Sequence, residues 1–473
     1  MARNLMLSRK SRILLLVFFF LTAEIILVGC QSAAPADRQD GLEERIDEYI
    51  SAYNSTYRES GELINGTILI AKEGEILVHK GYGYADPEES IKNSRRTVYR
   101  IASITKPITA LAVMQLEEEG KLDLHEPLSR YLPEASFQNE ISIHQLLTHT
   151  AGIRRDPLVD IYDPISLENL AKHIQSAPLV SAPGTQVQYS NCGYQLLAYL
   201  IETVSGQSYA AYLEEHIFTP GGMDDSGVSL STEEPEWMAK GYRLLAGRLV
   251  AQTPIDMSVV SGSGSIYATA EDLYQLDRAL EAGALVSEQT RIKIFQDQTR
   301  LDSDFHYGYG WEIADWKGQP LFHHGGYLIS GYSGEWLKIP NEDLVVIILN
   351  NTPANNLFQV SKVLAAITMG DFYSLPIKAD PIQLDPGLLL RYEGEYQLVG
   401  EEIPVSITSR GQRLQVTTPM FEGDFLPYSD TGFFSADNPE TRIVFSIDGD
   451  RNAVGFELID PLSRMECIRV GQD

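Results

Sequence analysis

The chain has 473 residues, more than one ordinary hydrophobic core accommodates, so two domains behind a targeting segment are expected. Hydrophobic residues at 44% and charged ones at 22% describe a globular protein, and a formal net charge of −28 excludes nucleic acid as a natural partner. An acidic surface also fails to attract anionic headgroups, so any membrane attachment has to come from a covalent or hydrophobic anchor.

Arg3, Arg9, Lys10 and Arg12 form a basic start and residues 13–28 an apolar stretch, short for a bilayer span but of signal-peptide length. It ends in Leu27-Val28-Gly29-Cys30, which resembles the lipobox of bacterial lipoproteins. That resemblance implies a signal peptide over 1–29, lipidation of Cys30, and a membrane-tethered protein facing the periplasm or cell exterior. Residues 30–40, polar with Ala and Pro, read as a flexible tether.

Leu42, Ile46, Ile50 and Tyr53 recur at helical spacing. Strands are expected at 67–71 and 76–79, joined by a Glu73-Gly74 turn. Ser103 opens a helix running to about Gly120, with Ala110, Leu111, Val113, Met114 and Leu116 on its buried face. Residues 122–261 read as mostly helical and loop. Strand character returns at Tyr307, most clearly at 321–323, 331–337 and 344–349, before a helix over 357–369. The pattern is an α/β domain over 41–375, an antiparallel sheet flanked by helices with a helical subdomain. A proline-interrupted linker follows at 376–386, and short alternating runs at 403–407, 414–417, 441–447 and 454–458 place a small all-β barrel or sandwich over 387–473.

Ser103 and Lys106 lie three residues apart, and positions i and i+3 of a helix share a face. An amine beside a hydroxyl lowers the cost of making an alkoxide. Tyr189-Ser190-Asn191 offers a phenol as a second proton shuttle, provided nearby cations (Lys106 and a protonated His323) lower its pKa from about 10, and an amide that can hold both Lys106 and a substrate carbonyl. In His323-His324-Gly325-Gly326, the glycines allow close backbone approach, so a strand N–H can join that of Ser103 in an oxyanion hole. The paired histidines also fit a metal site or a plain turn, but the other histidines show no HExxH-like spacing, so neither metal nor cofactor is expected. No Gly-x-Ser-x-Gly occurs, which argues against an α/β-hydrolase. Cys192 has no base signature and reads as a small buried side chain; Cys467 falls in the other domain, so no disulfide between them is expected. Ser261-Gly262-Ser263-Gly264-Ser265 reads as a structural loop.

Ser103-Ile104-Thr105-Lys106, Tyr189-Ser190-Asn191 and His323-His324-Gly325 together resemble the Ser-x-x-Lys, Tyr-x-Asn and Lys/His-x-Gly motifs of the serine β-lactamase and penicillin-binding protein superfamily. The likeness covers roughly residues 43–370 and is nearest to the branch of class C β-lactamases, D-alanyl-D-alanine carboxypeptidases and esterases. It implies Ser103 as nucleophile, Lys106 and Tyr189 sharing proton transfer, Asn191 and His323 contacting substrate, Gly325 beside them in the binding strand, and N–H groups of Ser103 and Gly326 as oxyanion hole. Histidine in place of lysine is a weaker attractor of a carboxylate near neutrality. The expected activity is therefore an extracytoplasmic serine hydrolase acting through an acyl-enzyme on an ester or a D-amino-acid amide of small-molecule or peptidoglycan-like character. A class C-like β-lactamase and a non-catalytic penicillin-binding or interaction module are the alternatives. The oligomeric state, and the role of the C-terminal β-domain, are left open by the sequence.

Overall fold

The computed structural model describes residues 41–133, 140–232, 235 and 237–471. The expected signal segment, the lipidation site Cys30 and the tether lie outside the described residues. Contacts divide the described chain into two units, residues 58–362 and residues 41–57 with 363–471.

The first unit is built on an eight-stranded antiparallel sheet. In chain order the strands are β1 (Gly66–Lys72), β2 (Glu75–Gly81), β3 (Thr299–Arg300), β4 (His306–Tyr307), β5 (Glu312–Trp316), β6 (Gln319–Leu328), β7 (Tyr332–Ile339) and β8 (Leu344–Asn350). Their spatial order is β3-β4-β5-β6-β7-β8-β1-β2. The N-terminal hairpin therefore closes onto the last strand, from Gly66↔Asn350 to Lys72↔Leu344. Every residue of β8 is buried, as is β1 from Gly66 to Ala71, so these strands read as continuous apolar runs instead of alternating ones. The β1–β2 turn has Glu73 and Gly74 both at positive φ (54° and 81°), the backbone a two-residue type I′ hairpin needs.

Helix α1 (Leu42–Tyr57), in the second unit, buries Leu42, Ile46, Tyr49, Ile50 and Tyr53, the stripe its periodicity predicts. In the first unit, α2 (Thr105–Glu118) is buried all round from Thr105 to Leu116, the mark of a central helix and not a surface one. A 3₁₀ turn, Ala102–Ile104, leads into it. The helical subdomain contains α3 (Ile143–Leu147), opened by a Ser142/Gln145 capping box, and α4 (Leu167–Ser176), capped by Ser166. Next comes α5 (Asn191–Ser205), capped by Ser190 and ended by left-handed Gly206. Then α6 (Ala270–Glu281), capped by Thr269, lies against β8 and β1. Helix α7 (Leu357–Met369) has the bounds the sequence predicts.

The second unit also holds a closed eight-stranded barrel. Its strands are β9 (Gly394–Leu398), β10 (Pro404–Arg410), β11 (Arg413–Thr417), β12 (Glu422–Pro427), β13 (Gly432–Ser435), β14 (Arg442–Ile447), β15 (Ala453–Asp460) and β16 (Ser463–Arg469). Each pairs with its sequence neighbour, and β9 closes onto β16 at Tyr396↔Arg469, giving an up-and-down barrel and not a sandwich. Its core is aromatic: Tyr392 stacks on Phe445 at 4.3 Å, with Phe433 and Phe456 beside them. Cys192 and Cys467 are buried free thiols, and burial pushes each up to about 12. No helix among the described residues is long and apolar enough to cross a membrane.

Candidate active site

Ser103 sits in the 3₁₀ turn that enters α2, directly after Ala102, whose φ of 51° is a backbone conformation that non-glycine residues rarely adopt. One turn on, the fully buried Lys106 places Nζ 3.0 Å from Ser103 Oγ. Two carbonyls fix the other side of that nitrogen: Asn191 Oδ1 at 2.8 Å and the main-chain oxygen of Ser263 at 3.0 Å. The Ser261–Ser265 loop is thus structural in a specific way. It also accepts from Thr109 Oγ1 through Gly262 O, at 2.7 Å, which ties it to the middle of α2.

Asn191 is the first residue of α5, not part of an extended segment, because Ser190 acts as the N-cap and accepts from Gly193 N–H at 3.0 Å. Its amide is fully oriented: Oδ1 accepts from Lys106, and Nδ2 donates to Asp156 Oδ1 at 2.6 Å. Residues 154–156 hold the start of this helix by accepting Ser190 Oγ and Asn191 N–H on successive carbonyls.

Burial drives the Lys106 ammonium well below the ordinary lysine range, helped by the Arg155 charge, against a smaller pull from Asp156 and Glu312. Tyr189 moves the other way. Burial raises its phenol far above the usual value, and Glu312 and Tyr194 add to this, while its bond to Ser103 and the Arg155 guanidinium oppose it. The expectation that neighbouring cations would acidify Tyr189 is therefore corrected: desolvation of the phenolate outweighs them. Lys106 Nζ lies 4.7 Å from the Tyr189 ring centre and the Arg155 guanidinium 5.3 Å, so an amine and a guanidinium flank the ring.

The third motif is resolved by strand periodicity. Successive side chains of β6 point to opposite faces. A Cβ on Gly326 would come within 2.4 Å of Ile101 O, so this glycine packs directly against the backbone leading into Ser103 and has no room for a side chain. Gly325 looks the other way, toward Glu335. His324 shares the face of Gly326, with its ring 6.3 Å from that of Tyr189. His323 is on the far face: Nδ1 lies 2.8 Å from Glu335 Oε1, Nε2 lies 3.6 Å from Glu312, and the ring stacks on Phe358 at 3.9 Å. The structure thus brings Ser103, Lys106, Tyr189, Asn191 and Gly326 together but not His323 or Gly325. Both His323-His324-Gly325 and His324-Gly325-Gly326 fit a His-x-Gly pattern, and only the pleat tells them apart.

The sequence reading assigned no role to three further groups, His149, Tyr307 and His324. His149 carries a positive φ of 60° and accepts from Ser190 N–H on Nδ1 at 3.1 Å. Its remaining nitrogen, Nε2–H, therefore donates to Tyr307 Oη at 3.2 Å. His324 donates from Nδ1 to Gly325 O at 2.7 Å, which leaves Nε2 to accept from Tyr307 Oη at 3.5 Å. Both histidines are held neutral by burial and by the nearby Lys106, His324 down to about 3 and His149 well below its usual range. Tyr307 belongs to no spaced motif, whereas His149 lies in Gln145–Gly152, a stretch that also resembles the family and was the signal available for it. Among the described residues no cluster of three or more His, Cys, Asp and Glu is arranged to hold a metal ion.

A family model described as Beta-lactamase matches residues 47–367. The putative penicillin-binding protein PbpX of Bacillus subtilis (strain 168) is 36% identical over 250 residues, covering 53% of this chain and 62% of the relative, so the chain spans less than two thirds of that protein. Penicillin-binding protein 4* of the same organism is 28% identical over 441 residues, covering 86% of this chain and 95% of the relative. The octameric penicillin-binding protein homologue from Pyrococcus abyssi is similar at 25% identity with a TM-score of 0.63, covering 90% of this chain and 99% of that one. A match over two thirds of the chain, on the fold that presents a serine and a lysine from one helix start, makes this protein a member of the Beta-lactamase family of serine hydrolases and penicillin-binding proteins.

Proposed function

We propose that the protein hydrolyses an ester or a D-amino-acid amide through an acyl-enzyme on Ser103. The observation that carries this reading is the placement of Lys106 Nζ. A neutral amine has two N–H bonds and one lone pair. Asn191 Oδ1 and Ser263 O can only accept, so they take the two N–H groups, and the lone pair is left facing the Ser103 hydroxyl at 3.0 Å.

As Ser103 Oγ attacks the substrate carbonyl, its proton passes to Lys106 Nζ and the carbonyl π pair becomes an oxyanion. The resemblance assigns that charge to N–H groups of Ser103 and Gly326, and the close packing of Gly326 on Ile101 O, which brings this strand against the turn of Ser103, supports the reading. Collapse expels the alcohol or amine, which takes a proton from the Lys106 ammonium, directly or through the protonated Tyr189 phenol bonded to Ser103. Water then repeats the sequence in reverse roles and releases the acid. Burial and Lys106 hold His324 below its usual range, so this histidine offers a substrate carboxylate less attraction than a lysine would, which supports esters and amides over rapid β-lactam turnover. The names of the relatives support penicillin as an acylating probe.

Intact-mass measurement after incubation with a labelled penicillin, and separately with a p-nitrophenyl ester, tests the reading. An adduct mapped to Ser103 and absent from Ser103→Ala is expected. Persistence of the penicillin adduct separates a peptidase or esterase from a β-lactamase, and absence of any adduct or turnover leaves a non-catalytic module. We also propose that Cys30 is lipidated and tethers the enzyme outside the cytoplasm, supported by Leu27-Val28-Gly29-Cys30. Metabolic labelling with a clickable fatty acid, lost in Cys30→Ser, checks this.

A further inference from the structure

At the mouth of the acyl-transfer site, the main chain of Arg155 is fixed and its side chain is not. Its carbonyl accepts Asn191 N–H at 2.8 Å, which ties the backbone to the start of α5. The side chain is 66% exposed and carries the guanidinium over Tyr189, 5.3 Å from the ring centre. Among the described residues that guanidinium meets one carboxylate, Asp156, with Nε 3.7 Å from Oδ2, too far for a hydrogen bond. The other Asp156 oxygen already accepts from Asn191 Nδ2. An exposed pair at such a distance holds little energy, so the guanidinium keeps its N–H groups for an incoming acceptor.

The rest of the site offers an anion little. Burial holds Lys106, His149 and His324 below their ordinary ranges, and Lys106 turns its nitrogen to Ser103, Asn191 and Ser263. A guanidinium keeps its charge throughout the pH range in which enzymes work, and its planar fork matches two oxygens on one centre. The Arg155 charge is felt inside the site, where it lowers the proton affinity of Lys106, Tyr189 and His149. The Tyr189 ring and its bond to Ser103 connect this cation to the nucleophile. An anionic group a few bonds from the reacting carbonyl therefore meets it on the side of Tyr189 and Asn191, away from the third motif on β6.

We propose that Arg155 selects, among esters and amides cleaved at Ser103, those whose leaving group carries a carboxylate. This rests on the acyl-transfer reading above, in which the leaving group takes its proton beside Tyr189. Thiol release from the N-acetyl-D-alanyl thioester of thioglycolate, compared with that of thioglycolamide, tests it, because the two substrates differ in one charge. The ratio of kcat/KM for the carboxylate to that for the carboxamide should fall at least about tenfold in Arg155→Gln, through a higher KM for the carboxylate. Taking the ratio cancels any effect of the guanidinium on Lys106 and Tyr189, which both substrates feel alike. Arg155→Lys should keep part of the preference, as a point charge without the fork. Added salt should raise KM for the carboxylate in the parent and not in Arg155→Gln. The glutamine variant retains the main-chain bond to Asn191, so an equal fall for both substrates would mean that the side chain only positions Tyr189, and would overturn the proposal. Turnover of the carboxamide with an unchanged ratio removes this inference and leaves hydrolysis at Ser103 standing; release of thiol from neither substrate removes both.

Discussion

Nδ1 of His323 and Oε1 of Glu335 lie 2.8 Å apart on the face of the central sheet turned away from Ser103. With Glu312 on the ring's other nitrogen, the histidine stands between two carboxylates that would otherwise face each other. His323→Ala is expected to cost about 2–4 kcal/mol in denaturant titration, by stripping a buried carboxylate of its partner. Acylation of Ser103 should fall by less than about tenfold in the folded variant. A large loss of acylation at unchanged stability would show that His323 itself handles the substrate.

Lys106 is depressed by burial, so the unfolded chain, with its ordinary lysine pKa of about 10.4, binds the proton more readily than the native one. Stability therefore gains from this residue as pH rises through the window between the depressed native value and about 10.4. Lys106→Met should lose that slope, read as the difference between the two denaturation profiles. The same variant should acylate about 10²–10⁴-fold more slowly, and wild-type acylation should rise with pH as the amine loses its proton.

Asp156 is half exposed, and its bond to Asn191 Nδ2 keeps the amide oxygen aimed at Lys106. Asp156→Ala should lower kcat about tenfold and change KM little, since the amide is then free to turn its NH₂ toward the amine. Unfolding free energy should move by less than about 0.5 kcal/mol, as for other exposed polar groups.

Gly326→Ala adds a methyl 2.4 Å from Ile101 O, a main-chain atom that cannot rotate aside. Strand and nucleophile turn must separate, so the acylation rate should fall at least about a hundredfold. Gly325→Ala meets only the end of the Glu335 side chain, at 3.1 Å, and should keep most of its activity.

The contrast between Ser103 and His323 shows what one dimension carries. Ser103 and Lys106 were legible because helical spacing alone puts them on one face, and the residues between do not alter that. Choosing between His323 and His324 needs the register of β6 against β5 and β7, set by Glu312↔His323 and Gly325↔Glu335, contacts remote from either motif. Asn191 was seen as a partner of Lys106, but its place at a helix start depends on the cap of Ser190. Four of the barrel's eight strands, Pro404–Arg410, Arg413–Thr417, Arg442–Ile447 and Ala453–Asp460, were visible through alternation, whereas Glu422–Pro427 and Ser463–Arg469 were not. Gly394–Leu398 and Gly432–Ser435 were missed as well, and closure depends on Tyr396 meeting Arg469 across most of the domain. The Tyr307 link between His149 and His324 joins residues with no common spacing, so no linear pattern points to it.

Closure of the C-terminal strands has a consequence for recognition. A barrel in which every strand has two neighbours exposes no row of unpaired main-chain amides, so a peptide cannot join it as an additional strand. Whatever docks on this unit must read side chains, such as the exposed Val399, Met420, Ile447 and Val454. Its specificity is therefore open to change one surface residue at a time while the hydrogen-bonded hoop beneath stays intact.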